Sequence, residues 1–155
     1  MPVAVSVANE ATSEVVDAFA ALIPQLSSSN PPPTLMELEA IIAHEACHLL
    51  IARDVDSGAI VGSLTLVVFP IPTAIRAWIE DVVVDAGARG SGAGALLNTE
   101  AIALAARLGA TTVDLTSRPS REAANRLYQR LGFEKRTTNC YRYNTSQPGS
   151  TSNHA

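Results

Sequence analysis

Three glycines at alternate positions, in Arg89-Gly90-Ser91-Gly92-Ala93-Gly94, constrain this chain more than any other feature. They follow the apolar run Val82-Val83-Val84 and precede a stretch rich in Ala and Leu that extends to Leu108, so the chain must pass from strand to helix through a turn almost bare of side chains. A plain turn uses glycine where the backbone needs positive φ, and seldom needs three. Bare backbone at a helix start also lets N–H groups approach a phosphate, helped by the positive end of the helix dipole. The spacing favours this second use. A strand at Thr111–Leu115 then completes a βαβ unit, followed by a helix from Ser120 to Leu131 and short strands near Phe133 and Tyr141.

The half before the glycines has a different rhythm. Val3, Val5 and Val7 alternate as in a short strand, and Val15, Phe19, Leu22 and Ile23 recur at helical spacing over residues 10–23 until Pro24 breaks the pattern. Ser27–Pro33 reads as a surface loop. Thr34 with Glu37 three residues on forms a capping-box pattern for a helix carrying Leu35, Leu38, Ile41 and Ile42. His48–Asp54 and Ala59–Phe69 read as a hairpin joined at Asp56-Ser57-Gly58, and Ile75–Val84 as a third strand reached through Pro70 and Pro72. An antiparallel half followed by a βαβ half defines an α+β chain. Its 155 residues suit one domain, with residues 145–155 a polar tail expected to be disordered.

Composition narrows the function. Eleven basic residues against fifteen acidic ones leave a net charge of −4, which argues against a nucleic-acid-coating surface. The charge is uneven: nothing basic precedes Arg53, whereas Arg118, Arg121, Arg126, Arg130, Lys135, Arg136 and Arg142 face only Glu122 and Glu134, so the later part can attract an anion. Cys47 and Cys140 are too few for a disulfide framework and lack metal-ligand spacing. Met1–Glu10 has no basic leader, and Gly62, Pro70 and Pro72 interrupt the longest apolar run, Ala59–Ile75. The expectation is a cytoplasmic protein without a membrane partner.

Two patterns compete for the chemistry and yield. Gly90–Ala95 fits the Gly-x-Gly-x-x-Ala dinucleotide fingerprint with Asp114 about twenty residues beyond, but that fold opens with the motif and repeats βα units, whereas antiparallel strands precede it here. His44-Glu45-Ala46-Cys47-His48 matches a zinc-hydrolase pattern that needs both imidazoles on one helix face; the hairpin reading puts His48 in or beside a strand, and the only other histidine is His154. No metal site is expected. Glu80 and Asp81 are adjacent carboxylates in an otherwise apolar strand, where neighbours point to opposite faces. Either is a general base if held in a partly apolar cleft, or an edge residue if solvated. On the last helix Asn125 and Tyr128 share a face, and Gly132-Phe133 supplies the stop. The Tyr128 phenol can protonate a departing thiolate or simply pack.

Taken together, these residues resemble the GNAT superfamily of N-acetyltransferases from about Val3 to Tyr143. Arg89–Gly94 is similar to that family's acetyl-CoA signature, and Asn125–Phe133 to its Asn-to-Tyr stretch closing in Gly-Phe. The resemblance implies a GNAT fold over residues 1–144, three-layer α/β/α, with about four helices and a mixed, mostly antiparallel seven-stranded sheet splayed at its central strands. It also implies acetyl-CoA as cosubstrate, its pantetheine arm along Val82, Val83 and Val84 and its diphosphate on amides of Arg89, Gly90, Ser91, Gly92, Ala93, Gly94 and Ala95. Asn125 would contact the arm and Tyr128 would act as general acid. Glu80 or Asp81 would deprotonate or position the amine, with Glu80 favoured for sharing strand parity with Val82 and Val84. Ser91 stands where many members carry Lys or Arg, which leaves phosphate affinity to the amides and Arg89. The acceptor is a primary amine of a small molecule or peptide, bound by the N-terminal helices and the Pro70–Thr73 loop. A non-catalytic acetyl-CoA-binding sensor or interaction domain is the alternative. Exposed strands near the C-terminus suggest a homodimer.

Overall fold

A computed structural model describes residues 1–146. The chain forms β1 (Val3–Val7), α1 (Ser13–Leu26), α2 (Leu35–Ala43), β2 (Cys47–Asp54), β3 (Ile60–Ile71), β4 (Ala74–Val84), a short 3₁₀ turn (Ala86–Ala88), α3 (Ala93–Arg107), β5 (Thr112–Asp114) and α4 (Glu122–Arg130). The strands make one sheet in chain order, antiparallel from β1 to β4 and parallel between β4 and β5. The parallel pair needs a crossover, which α3 supplies.

Helices cover both faces. The face carrying Leu50, Leu64, Leu66, Ala77 and Ile79 packs against Ala93, Leu97, Ala101 and Ala105 of α3; small residues at helical spacing let α3 lie close to the sheet. On the other face, Leu49 and Ile51 pack against Val15, Phe19 and Ile23 of α1 and Leu38 of α2. Thr12 caps α1 by accepting from the Val15 amide, and Thr34 with Glu37 forms the expected capping box of α2.

Several boundaries differ from the sequence reading for identifiable reasons. Pro24 does not end α1, which continues to Leu26 because a proline in the last turn forfeits only one ladder bond. Pro70 lies inside β3, paired with Ile75, so the hairpin turns at Pro72-Thr73. The expected seven-stranded sheet has five strands among the described residues. The segments near Phe133 and Tyr141 form no strand: beyond Phe133 the chain is exposed to Ser146, and strand propensity without a neighbouring strand does not make a ladder. Of the expected tail, residues 147–155 lie outside the described residues.

Leu64 is fully buried and sits opposite the one irregularity in the β3–β4 ladder. Leu64→Ala is therefore expected to lower unfolding free energy by about 2–5 kcal/mol, read as a reduced urea midpoint at constant slope.

Candidate active site

The site is built where β4 parts from β5. The two strands pair only over Arg76–Trp78 and Thr112–Asp114, so from Ile79 to Val84 the β5-facing edge of β4 has no strand partner among the described residues. Backbone N–H and C=O groups left this way seek another partner. Along the same stretch Ser63 pairs with Val83 and Thr65 with Glu80, leaving Asp81 and Val82 opposite Leu64 alone. This is a β-bulge. Asp81 takes φ of 50°, and among the described residues no other non-glycine has a positive φ.

The bulge overturns the parity argument for Glu80. Across it the faces exchange, so Glu80 lies with Thr65, Ser63 and Val83 on the α1–α2 side, while Val82 and Val84 lie on the α3 side with Ile79. Glu80 and Asp81 are both exposed, so neither is held in an apolar cleft.

At the end of β4 the glycine loop takes shape. Gly90 and Gly92 have φ of 82° and 86°, and a Cβ on either would meet nothing within 4 Å; these two serve backbone conformation. Gly94 is different. It lies in the first turn of α3 with ordinary φ, and a Cβ there would sit in ordinary contact with Leu127 of α4 at 3.5 Å and Val84 at 3.8 Å. The loop amides divide into two sets. Arg89 and Ser91 donate to the carbonyls of Ala86 and Ala88, and Ala93 donates to Ser91 Oγ. The N–H groups of Gly90, Gly92, Gly94 and Ala95 have no acceptor among the described residues, as expected for a helix start. A shallow pocket of about 210 Å³ adjoins Arg89, Gly90 and Ser91.

Ahead of the loop stands a clamp that sequence reasoning missed. Gln25 Nε2 in the last turn of α1 donates to Asp85 Oδ1 at 2.9 Å, the Ala86 amide donates to Gln25 Oε1 at 2.8 Å, and the Gly87 amide donates to Asp85 Oδ2 at 2.9 Å. These bonds, with the Arg89 cation nearby, hold the Asp85 carboxyl below its ordinary range. Asp85 two residues before Gly87 is a legible turn signal; nothing local marks Gln25.

On the far wall, α4 ends in a Schellman motif: Gly132 has φ of 99°, its amide donates to the Gln129 carbonyl, and the Phe133 amide donates to the Tyr128 carbonyl. The matching side-chain contact is Tyr128 against Phe133, edge to face with ring centroids 5.8 Å apart. Tyr128 is buried, which raises its pKa, while the Arg121 cation opposes the shift. Its phenol keeps its proton at neutral pH. Asn125 donates Nδ2 to the Arg118 carbonyl at 2.9 Å, tying α4 to the loop after β5. Among the described residues, two buried side-chain polar atoms lack a partner: Asn98 Oδ1 on α3 and Ser117 Oγ, three residues past the end of β5. A thioester cosubstrate with an amide-bearing arm and a diphosphate fits this set of donors, unpaired edge and uncrowded Gly94.

The zinc pattern does not assemble, since His44 caps the end of α2 and His48 lies in β2. Among the described residues no helix is long and apolar enough to cross a membrane.

Comparison with known proteins agrees with this geometry. The family model for the acetyltransferase (GNAT) family matches residues 15–133, and the chain belongs to that family, whose members use acetyl-CoA. No curated protein matches it. Among solved structures it is similar to an acetyltransferase of Trypanosoma brucei (25% identity, TM-score 0.73), covering 91% of this chain and 99% of that one. It is similar over the same shares to a transcriptional regulator of Bacillus halodurans C-125 (27%, TM-score 0.74). An aminoglycoside acetyltransferase from an uncultured soil metagenomic sample, in complex with sisomicin, shares the fold at 17% identity and TM-score 0.77, with 91% and 95% covered.

In a spectrophotometric titration at alkaline pH, Tyr128→Phe is expected to remove an ionisation step lying above the ordinary tyrosine range. Loss of a step at or below that range would contradict the burial assigned to this phenol.

Proposed function

We propose that residues 1–144 act as a single catalytic domain that transfers the acetyl group of acetyl-CoA directly to a primary amine of a small molecule or peptide. The observation that carries this is the open edge of β4 from Ile79 to Val84 ending at four unbonded amides, those of Gly90, Gly92, Gly94 and Ala95. An extended arm with amide groups pairs with such an edge, and a diphosphate suits such a helix start. Of the amides expected from Arg89 to Ala95, these four take the anion, Arg89 adds charge, and Ser91 and Ala93 hold the loop's shape.

Acetyl-CoA supplies an activated acyl group. Glu80 or Asp81, both solvent-exposed, positions the incoming ammonium or takes its proton through water; Glu80 is favoured because it lies on the α1–α2 side, where the N-terminal helices would bind the acceptor. A backbone amide near the Asp81 bulge faces the thioester oxygen and stabilises its negative charge as the nitrogen–carbon bond forms and the carbon–sulfur bond breaks. Tyr128 gives its proton to the departing sulfur and is restored by the second proton that the nitrogen sheds as it becomes an amide, and Asn125 orients the arm through Oδ1. We place the protein in the reducing cytoplasm, where Cys47 and Cys140 stay free thiols, and assign it to homodimers in which the exposed segment with Tyr141 and Tyr143 meets a second copy.

Two substitutions test the reading. Tyr128→Phe is expected to lower kcat by about 10²-fold or more across an amine panel, with calorimetric affinity for acetyl-CoA little changed. Unchanged turnover would remove its acid role, and tight binding without thiol release from any amine would favour the sensor. Gly94→Ala is expected to stabilise α3 by about 0.5–1 kcal/mol while weakening acetyl-CoA binding, opposite signs that plain helix propensity does not produce.

A further inference from the structure

We infer that Gln25 is a positioning residue for the diphosphate loop, coupling the last turn of α1 on the acceptor side to the turn from which the glycine loop hangs. The inference rests on the proposed role of Gly90–Ala95. Gln25 is exposed and sixty residues from Asp85 in sequence, yet its Oε1 and one Nε2 proton are committed to this one turn, while Nε2 also donates to the Ala21 carbonyl of its own helix at 3.1 Å. The assignment of its two atoms is fixed by its partners: the Ala86 N–H can only donate, so Oε1 faces it, and the Asp85 carboxylate can only accept, so Nε2 faces that.

The bonds downstream explain why this matters for the loop. Ala86 and Gly87 are the first residues of the 3₁₀ turn, and their amides have no carbonyl within it. Gln25 takes one and Asp85 the other. The next turns build on these residues: Ala88 donates to the Asp85 carbonyl, Arg89 to that of Ala86, and Ser91 to that of Ala88. The positions of the Gly90 and Gly92 amides thus follow from where Asp85 and Ala86 are held. Asp85 is itself anchored to the sheet, its amide donating to the Val61 carbonyl. Gln25 adds an attachment to α1, whose Val15, Phe19 and Ile23 cluster with Leu49 and Ile51.

The test is calorimetric binding of acetyl-CoA to the full chain and its variants, with circular dichroism and thermal midpoint recorded for each. Gln25→Ala is expected to raise Kd about three- to tenfold without loss of helix signal. Gln25→Glu faces Asp85 with a second carboxylate and is expected to weaken binding more at pH 8 than at pH 5. Asp85→Asn loses one acceptor and also weakens binding. The double variant Gln25→Glu/Asp85→Asn exchanges amide and carboxylate between the two positions. The introduced carboxylate accepts from Ala86, the introduced amide donates to that carboxylate, and its carbonyl accepts from Gly87. This variant still lacks the donor to the Ala21 carbonyl, and should recover most of the affinity lost by either single variant. Single variants that bind as wild type, or a double variant no better than its parents, overturn the inference, even if thermal midpoints fall. A wild-type chain that binds no acetyl-CoA removes the proposed function, and this inference with it.

Discussion

The rest of the structure depends on β4 losing its neighbour after Trp78. Up to that residue the strand is bonded on both sides, to β3 and to β5; beyond it only the β3 ladder continues. In an ordinary sheet interior this would leave polar backbone unsatisfied. Here the gap is kept open by what flanks it. The β5 strand is only three residues long, and α4 meets the start of α3 through the Leu127 side chain at Gly94. The Asp81 bulge adds a local departure from the ladder in the same stretch. Strain and open edge together mark this place as the one where the fold is arranged for something other than its own stability.

Much of this was legible in the sequence because its signals are local. The glycine loop, the capping box at Thr34 and Glu37, the stop at Gly132-Phe133 and the long small-residue helix each follow from residues a few positions apart, and the structure forms all four. The resemblance to N-acetyltransferases rested on two of them, and the family match bears it out. What escaped were features set by pairing at a distance. The bulge arises from the register of β4 against β3, so no inspection of Glu80 and Asp81 alone could show that it exchanges the faces. The clamp joins Gln25 to Asp85 across sixty residues. The last two strands failed for the converse reason: residues 133–143 have strand-forming composition but no neighbouring strand.

The division of labour among the glycines carries the chemical argument. Gly90 and Gly92 explain themselves through positive φ, as an ordinary turn would. Gly94 does not, since its backbone suits any residue and glycine there weakens the helix. A side chain there would pack between Val84 and Leu127, which is where the proposed arm would pass. The phenol of Tyr128 packs on Phe133 and is kept protonated by burial.

Hydrogen exchange of backbone amides with and without acetyl-CoA tests the central claim most directly. The account predicts slowed exchange at Gly90, Gly92, Gly94 and Ala95 and at those N–H groups of Ile79–Val84 that face away from β3, with β1 and β2 unaffected. Unchanged exchange at the loop and at the free edge of β4, while acetyl-CoA binds elsewhere, would contradict it.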